Sequence, residues 1–148
     1  MEARFIISFA FVMISFLPNI QAKQVGCQEM NDTLDAILFQ QIPELQSFGP
    51  YIEGLSKGEA HAMIMNRSCP DPNAKDTIDR DYYEMYVGED HDDHTVRIYG
   101  IFINKDLKHI LVYDAVDDSY TPLEKVRQTK KWKRDWARRK RWVEKHGK

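Results

Sequence analysis

Cysteine is scarce in this chain, with only Cys27 and Cys69 among 148 residues. Paired Cys-x-x-Cys motifs of zinc and redox sites are therefore excluded. Glycine is sparse too, at seven residues, and these form neither a phosphate-cradling loop nor a nucleophile elbow. The longest apolar run, Phe5 to Leu17, spans 13 residues, too few to cross a bilayer as a stable anchor. No internal repeat or low-complexity segment is present. What remains is one domain, read as a binding protein and not as an enzyme.

The apolar run follows Arg4, is broken by Pro18, and leads to the small residue Ala22. That is the layout of a signal peptide over residues 1–22, cleaved after Ala22. A lipoprotein would need Cys27 at the cleavage point, and "NIQAKQ" separates the two. The expected destination is the periplasm or the extracellular space. There the even cysteine count predicts one disulfide, Cys27 to Cys69. Closing that loop stabilises the fold by roughly 4 kcal/mol on the chain-entropy model. Asn31 and Asn66 head glycosylation sequons, which matter only in a eukaryotic host.

Helical spacing of Leu34, Ile37, Leu38, Ile42 and Leu45 predicts a helix that Pro43 ends. "FGPYIEGLSKG" reads as turns. Four strands are expected: Glu59–Asn66, Tyr82–Gly88, His94–Asn104 and Lys108–Val116, joined as an antiparallel meander. Strict alternation in the third puts Val96, Ile98, Gly100 and Phe102 on the helix-packed face. Arg97, Tyr99, Ile101 and Ile103 fall on the other, with Tyr83, Met85 and Val87 alongside.

This α+β plan, an N-terminal helix on a four-stranded meander, resembles the cystatin-like architecture. The Gln-x-Val-x-Gly hairpin and Pro-Trp turn of true cystatins are not at the matching places, so no activity is carried over.

The formal net charge of −2 conceals a polarised chain. Residues 23–122, the acidic α+β domain, hold 8 Lys and Arg against 19 Asp and Glu. Residues 123–148, the basic tryptophan-bearing tail, hold 12 against 3. Such asymmetry implies an interaction tail or internal neutralisation.

Glu89 to His94 packs four carboxylates and two histidines into six residues. The meander puts that turn at the same sheet end as Asp117 and Asp118. His91, Asp93 and His94 are the candidate ligands for a divalent metal, although the spacing matches neither an EF-hand nor His-Glu-x-x-His. A solvated turn or charge-docking surface is the stronger reading. No other cofactor is implied.

The tail is free of glycine and proline until Gly147, so a helix is permitted. On its wheel Trp132, Trp136 and Val143 lie within about 40 degrees, with Arg139 between them along the chain. Trp142 sits off that stripe. The tail either docks on its own acidic body, arginines toward Asp117 and Asp118, or binds an anionic membrane or polymer, or folds on a protein partner. Nucleic acid is the least expected target of an exported protein. Trp132, Trp136, Arg138, Arg139, Arg141 and Trp142 are the candidate tail contacts, and Arg97, Tyr99 and Ile101 the candidate sheet-face contacts. The reading is thus a small exported protein binding another protein in an inhibitory or accessory role. Its alternatives are an anionic-surface binder and a metal-binding protein.

Overall fold

The computed structural model describes residues 27–147, so the expected leader lies outside the described residues. Helix α1 (Asn31–Gln41) turns Leu34 and Leu38 fully inward. It stops where Pro43 has no amide hydrogen to donate, and Pro43 instead opens a 3-10 turn, Pro43–Ser47.

The following segment departs from expectation. Phe48–Ser56 is a helix, α2, and not a pair of turns. Pro50 falls in the first turn, where its missing amide donor would have no intrahelical partner anyway. Gly54 is there for packing, since a Cβ at that position would lie 1.9 Å from the Trp142 ring. Lys57, in the left-handed region at φ 56°, ends the helix.

After β1 (Ala60–Ser68), Asp76 caps the short helix α3 (Thr77–Asp81) by accepting from the Ile78 and Asp79 amides. Strands β2 (Tyr82–His91), β3 (Thr95–Asn104), β4 (Ile110–Asp114) and β5 (Ser119–Pro122) complete the sheet. It has five strands in sequence order, every neighbour antiparallel. The fold class is α+β, with five strands where four were expected. The missed strand is only four residues and ends in proline, which an edge position tolerates because its amide faces away from the ladder.

Helices α4 (Leu123–Val126) and α5 (Lys130–His146) follow. The Thr129 hydroxyl accepts from the Trp132 amide at 3.2 Å and starts α5. Cys27 and Cys69 form the expected disulfide, with Cα atoms 6.0 Å apart, which is consistent with an exported protein. Asn66 is spent on the same corner: its Nδ2 donates to Asn31 Oδ1 at 3.1 Å and reaches Cys27 Sγ at 3.3 Å.

The sheet faces are the reverse of the sequence expectation. Met85, Val87, Ile101 and Ile103 are fully buried against α1, α2 and α5, and Ile110 and Val112 nearly so. The row Met65, Tyr86, Gly100, Tyr113 and Tyr120 runs across all five strands on the opposite face. Alternation was read correctly within β3 from Tyr99 onward, but which set faces inward was not. A large aromatic such as Phe102 can satisfy either face; only the roof of helices decides.

Arg97 breaks the alternation altogether. Val87 pairs with Tyr99 while Gly88 pairs with Arg97, so Ile98 is an extra residue, a β-bulge. The bulge moves Arg97 to the face opposite Tyr99. Gly88 makes it feasible, because a Cβ there would sit 2.1 Å from the Val96 carbonyl oxygen. An isolated glycine in a strand pattern was the available signal.

Candidate binding surfaces

The tail docks on the body, and it docks through rings. Trp132 and Trp136 are each 5% exposed and Arg139 6%. Tyr99 meets both indoles, its ring centre 5.4 Å from Trp132 and 5.9 Å from Trp136. Arg139 enters this cluster without a carboxylate. Its guanidinium carbon lies 4.6 Å from the Trp136 ring centre and within 5.8 Å of those of Phe48, Tyr51 and Tyr99. Its Nη1 donates to the Tyr99 hydroxyl at 3.1 Å. A buried cation gains here from the negative ring faces, worth about 2 kcal/mol when desolvated.

Among the described residues the tail's acidic anchor on the body is Glu44, not Asp117 or Asp118. Arg127 Nη2 donates to Glu44 Oε2 at 2.7 Å, and Trp132 Nε1 to Oε1 at 3.4 Å. Partial burial alone would raise the Glu44 carboxyl, but the Arg127 hydrogen bond and charge outweigh it and hold the pKa below 4.5.

These contacts change what the candidate site residues can do. Trp132, Trp136 and Arg139 are spent inside, Tyr99 is half-buried under them, and Ile101 has no exposed surface. Trp142 packs edge-on against Tyr51. Of the six tail candidates only Arg138 and Arg141 are exposed.

The histidine loop does not assemble a metal centre. His91 pairs with Glu89 at 3.2 Å and His94 with Asp93 at 2.5 Å. The hydrogen bond to His94 is the main cause of a lowered Asp93 pKa. The two imidazoles stack, 3° from parallel with centres 4.6 Å apart. Their lone pairs lie in parallel planes and so do not converge on one ion. Among the described residues no three His, Cys, Asp or Glu side chains group to hold a metal. The loop also stands clear of Asp117 and Asp118. Strand β4 pairs with β3 only from Gly100 to Ile103, so the β2–β3 ribbon extends beyond it.

Two surfaces are left open. On the sheet face opposite the tail, the guanidinium carbons of Arg67 and Arg97 lie 4.9 and 5.0 Å from the Tyr86 ring centre, and Arg97 lies 5.5 Å from that of Tyr113. Gly100 lies between those tyrosines in the row, and a Cβ there would come within 3.3 Å of Tyr113 Cβ and 3.5 Å of the Phe102 ring. Tyr113, Tyr120 and Phe102 continue as an aromatic cluster, with ring centres 5.0 to 6.4 Å apart. The Tyr113 hydroxyl donates to Asp118 at 2.9 Å, which raises its pKa and keeps it a neutral phenol. The sequence missed this face because the bulge that brings Arg97 to it is invisible to simple alternation. On the other side of the sheet, beside the start of α5, a groove of about 440 Å³ is walled by Ile98, Val112, Val126 and Trp132.

The second open surface is the outer side of α5, where cations and not rings face solvent. Comparisons with protein-family models, with curated proteins and with solved structures find no match to this chain.

Proposed function

We propose that the protein is a small exported, non-catalytic binding protein that recognises a protein partner with the sheet face opposite its tail. The observation that supports this most is the Arg67–Tyr86–Arg97–Tyr113 array. Tyrosine and arginine dominate binding hot spots because they bring large contact area, fixed shape and a polar end. Here they lie in one row, held by each other and by the sheet, so little side-chain entropy is left to lose on binding. A preformed contact surface of this kind suits an inhibitory or accessory role.

A photoreactive benzoylphenylalanine at Met65 or Tyr120, both more than 40% exposed, tests it. Illumination among the proteins of the producing organism's exported fraction is expected to give one discrete adduct, lost when Tyr86→Ala and Arg97→Ala are added. The same probe at Leu55, exposed on α2 away from the sheet, is expected to give none. Equal adducts from both sides, or adducts indifferent to the two substitutions, would sink the reading.

A further inference from the structure

The mode of docking leaves the tail's charge almost untouched. Helix α5 spends Trp132, Trp136 and Arg139, spaced four and three residues apart, on the body, with Val143 half-buried on the same side of the helix. Lys130, Arg134, Arg138, Arg141 and Lys145 carry the complementary spacing. At 3.6 residues per turn they fall within an arc of about 80 degrees on the opposite side. All five are exposed. Among the described residues Lys130, Arg138, Arg141 and Lys145 make no ion pair, and Arg134 meets only its neighbour Asp135, at 3.7 Å. The acidic body therefore does not neutralise this side. A rigid cationic line about 22 Å long faces outward.

We infer that this line is a binding site for an acidic polysaccharide, a linear polyanion carrying carboxylate or sulfate groups. Three features select that class. A helix that beds in a bilayer turns apolar residues to the lipid, whereas the α5 residues that could do so are buried in the protein core. Single-stranded nucleic acid needs exposed aromatic platforms for its bases, and the outer stripe has none. A disulfide-bonded exported protein meets cell-surface and matrix polysaccharides. The five cations sit at nearly regular intervals of three or four residues on a helix that the core holds straight, so a charged chain can run along it without ordering the protein first. This site lies on α5, away from the Tyr86 row, and does not depend on the sheet-face reading.

Heparin is the probe, titrated into the full-length protein at two or more salt concentrations. Arg138→Gln, Arg141→Gln and Lys145→Gln together are expected to weaken binding tenfold or more. By counterion release, at roughly 0.7 per lost contact, they should also take about 2 off the slope of log affinity against log salt. Lys130→Gln with Arg134→Gln, at the other end of the line, should give a smaller loss of the same kind. Arg67→Gln with Arg97→Gln should leave heparin binding unchanged. All are surface changes, and unfolding curves matching the parent confirm intact folds. Undiminished heparin binding in the α5 variants overturns the inference. So does tighter binding to phosphatidylglycerol vesicles or to oligothymidylate than to heparin at matched charge, which would make the target a membrane or a nucleic acid.

Discussion

The two faces of the sheet are built from similar residue types and serve opposite ends. The covered face holds Met85, Val87, Tyr99, Ile101 and Ile103 beneath the tail's indoles; the open face holds Tyr86, Arg97, Phe102, Tyr113 and Tyr120. Aromatic residues appear on both. What separates them is the roof. On the covered face Tyr99 meets the buried rings of Trp132 and Trp136. On the open face guanidinium groups lie over the Tyr86 and Tyr113 rings, Phe102 is buried among Tyr113 and Tyr120, and Tyr120 stays exposed, which leaves contact area for a partner. A helical tail that looks like an appendage in sequence is thus a structural member of one face, and its absence defines the other.

The largest test of that contrast is truncation. Deleting 128–148 strips two buried tryptophans and Arg139 from the core, and cooperative unfolding by urea or heat should disappear. An intact unfolding transition in the truncated protein would mean that the tail merely rests on the body.

Single substitutions should separate the faces next. Trp136→Ala removes a buried indole and is expected to cost about 3–5 kcal/mol. Tyr86→Ala, on the open side, should cost about 1 kcal/mol or less, mostly its cation–π contacts. Chemical denaturation measures both, and equal losses would erase the distinction.

Gly88→Ala should cost about 1–3 kcal/mol, because the new methyl meets the Val96 carbonyl and the β2–β3 pairing must shift to relieve it. Its more telling consequence is local: Arg97 should leave Tyr86, seen as a changed Tyr86 ring environment by NMR. A structure of this variant with the Arg97 contact intact would remove the bulge from the explanation.

The smallest effect concerns pH. Glu44 has a lowered folded-state pKa, so its stabilisation is complete above the unfolded value of about 4.3 and fades as pH falls through the lower folded value. Glu44→Gln should therefore lower stability slightly near neutrality and flatten the acid side of the stability profile below about pH 4.3. An unchanged acid limb would show that other carboxylates carry it.

Much of this architecture was legible in local pattern. The 3.6-residue spacing of Leu34 and Leu38 and the block at Pro43 marked α1; alternation and β-branched content marked β2 to β4; two cysteines sufficed for one disulfide. The helical tail and its Trp132–Trp136–Val143 stripe were equally plain. The misreadings share one cause. Helix α2 contains Gly49, Pro50 and Gly54, poor formers, and Gly54 makes sense only once Trp142 is seen lying on it. The inward face of β3 and the flipped position of Arg97 depend on a roof and a partner strand that lie far off in the chain.

Periodicity, composition and charge act through neighbours within a few residues, so they specified helices α1 and α5 and four of the five strands. Which surface is core and which is open depends on contacts such as Glu44 with Arg127, 83 residues apart. Burial is a property of pairs of segments, and no single segment carries it. The indoles of Trp132 and Trp136 suited a membrane or a protein interior equally well until the chain closed around them.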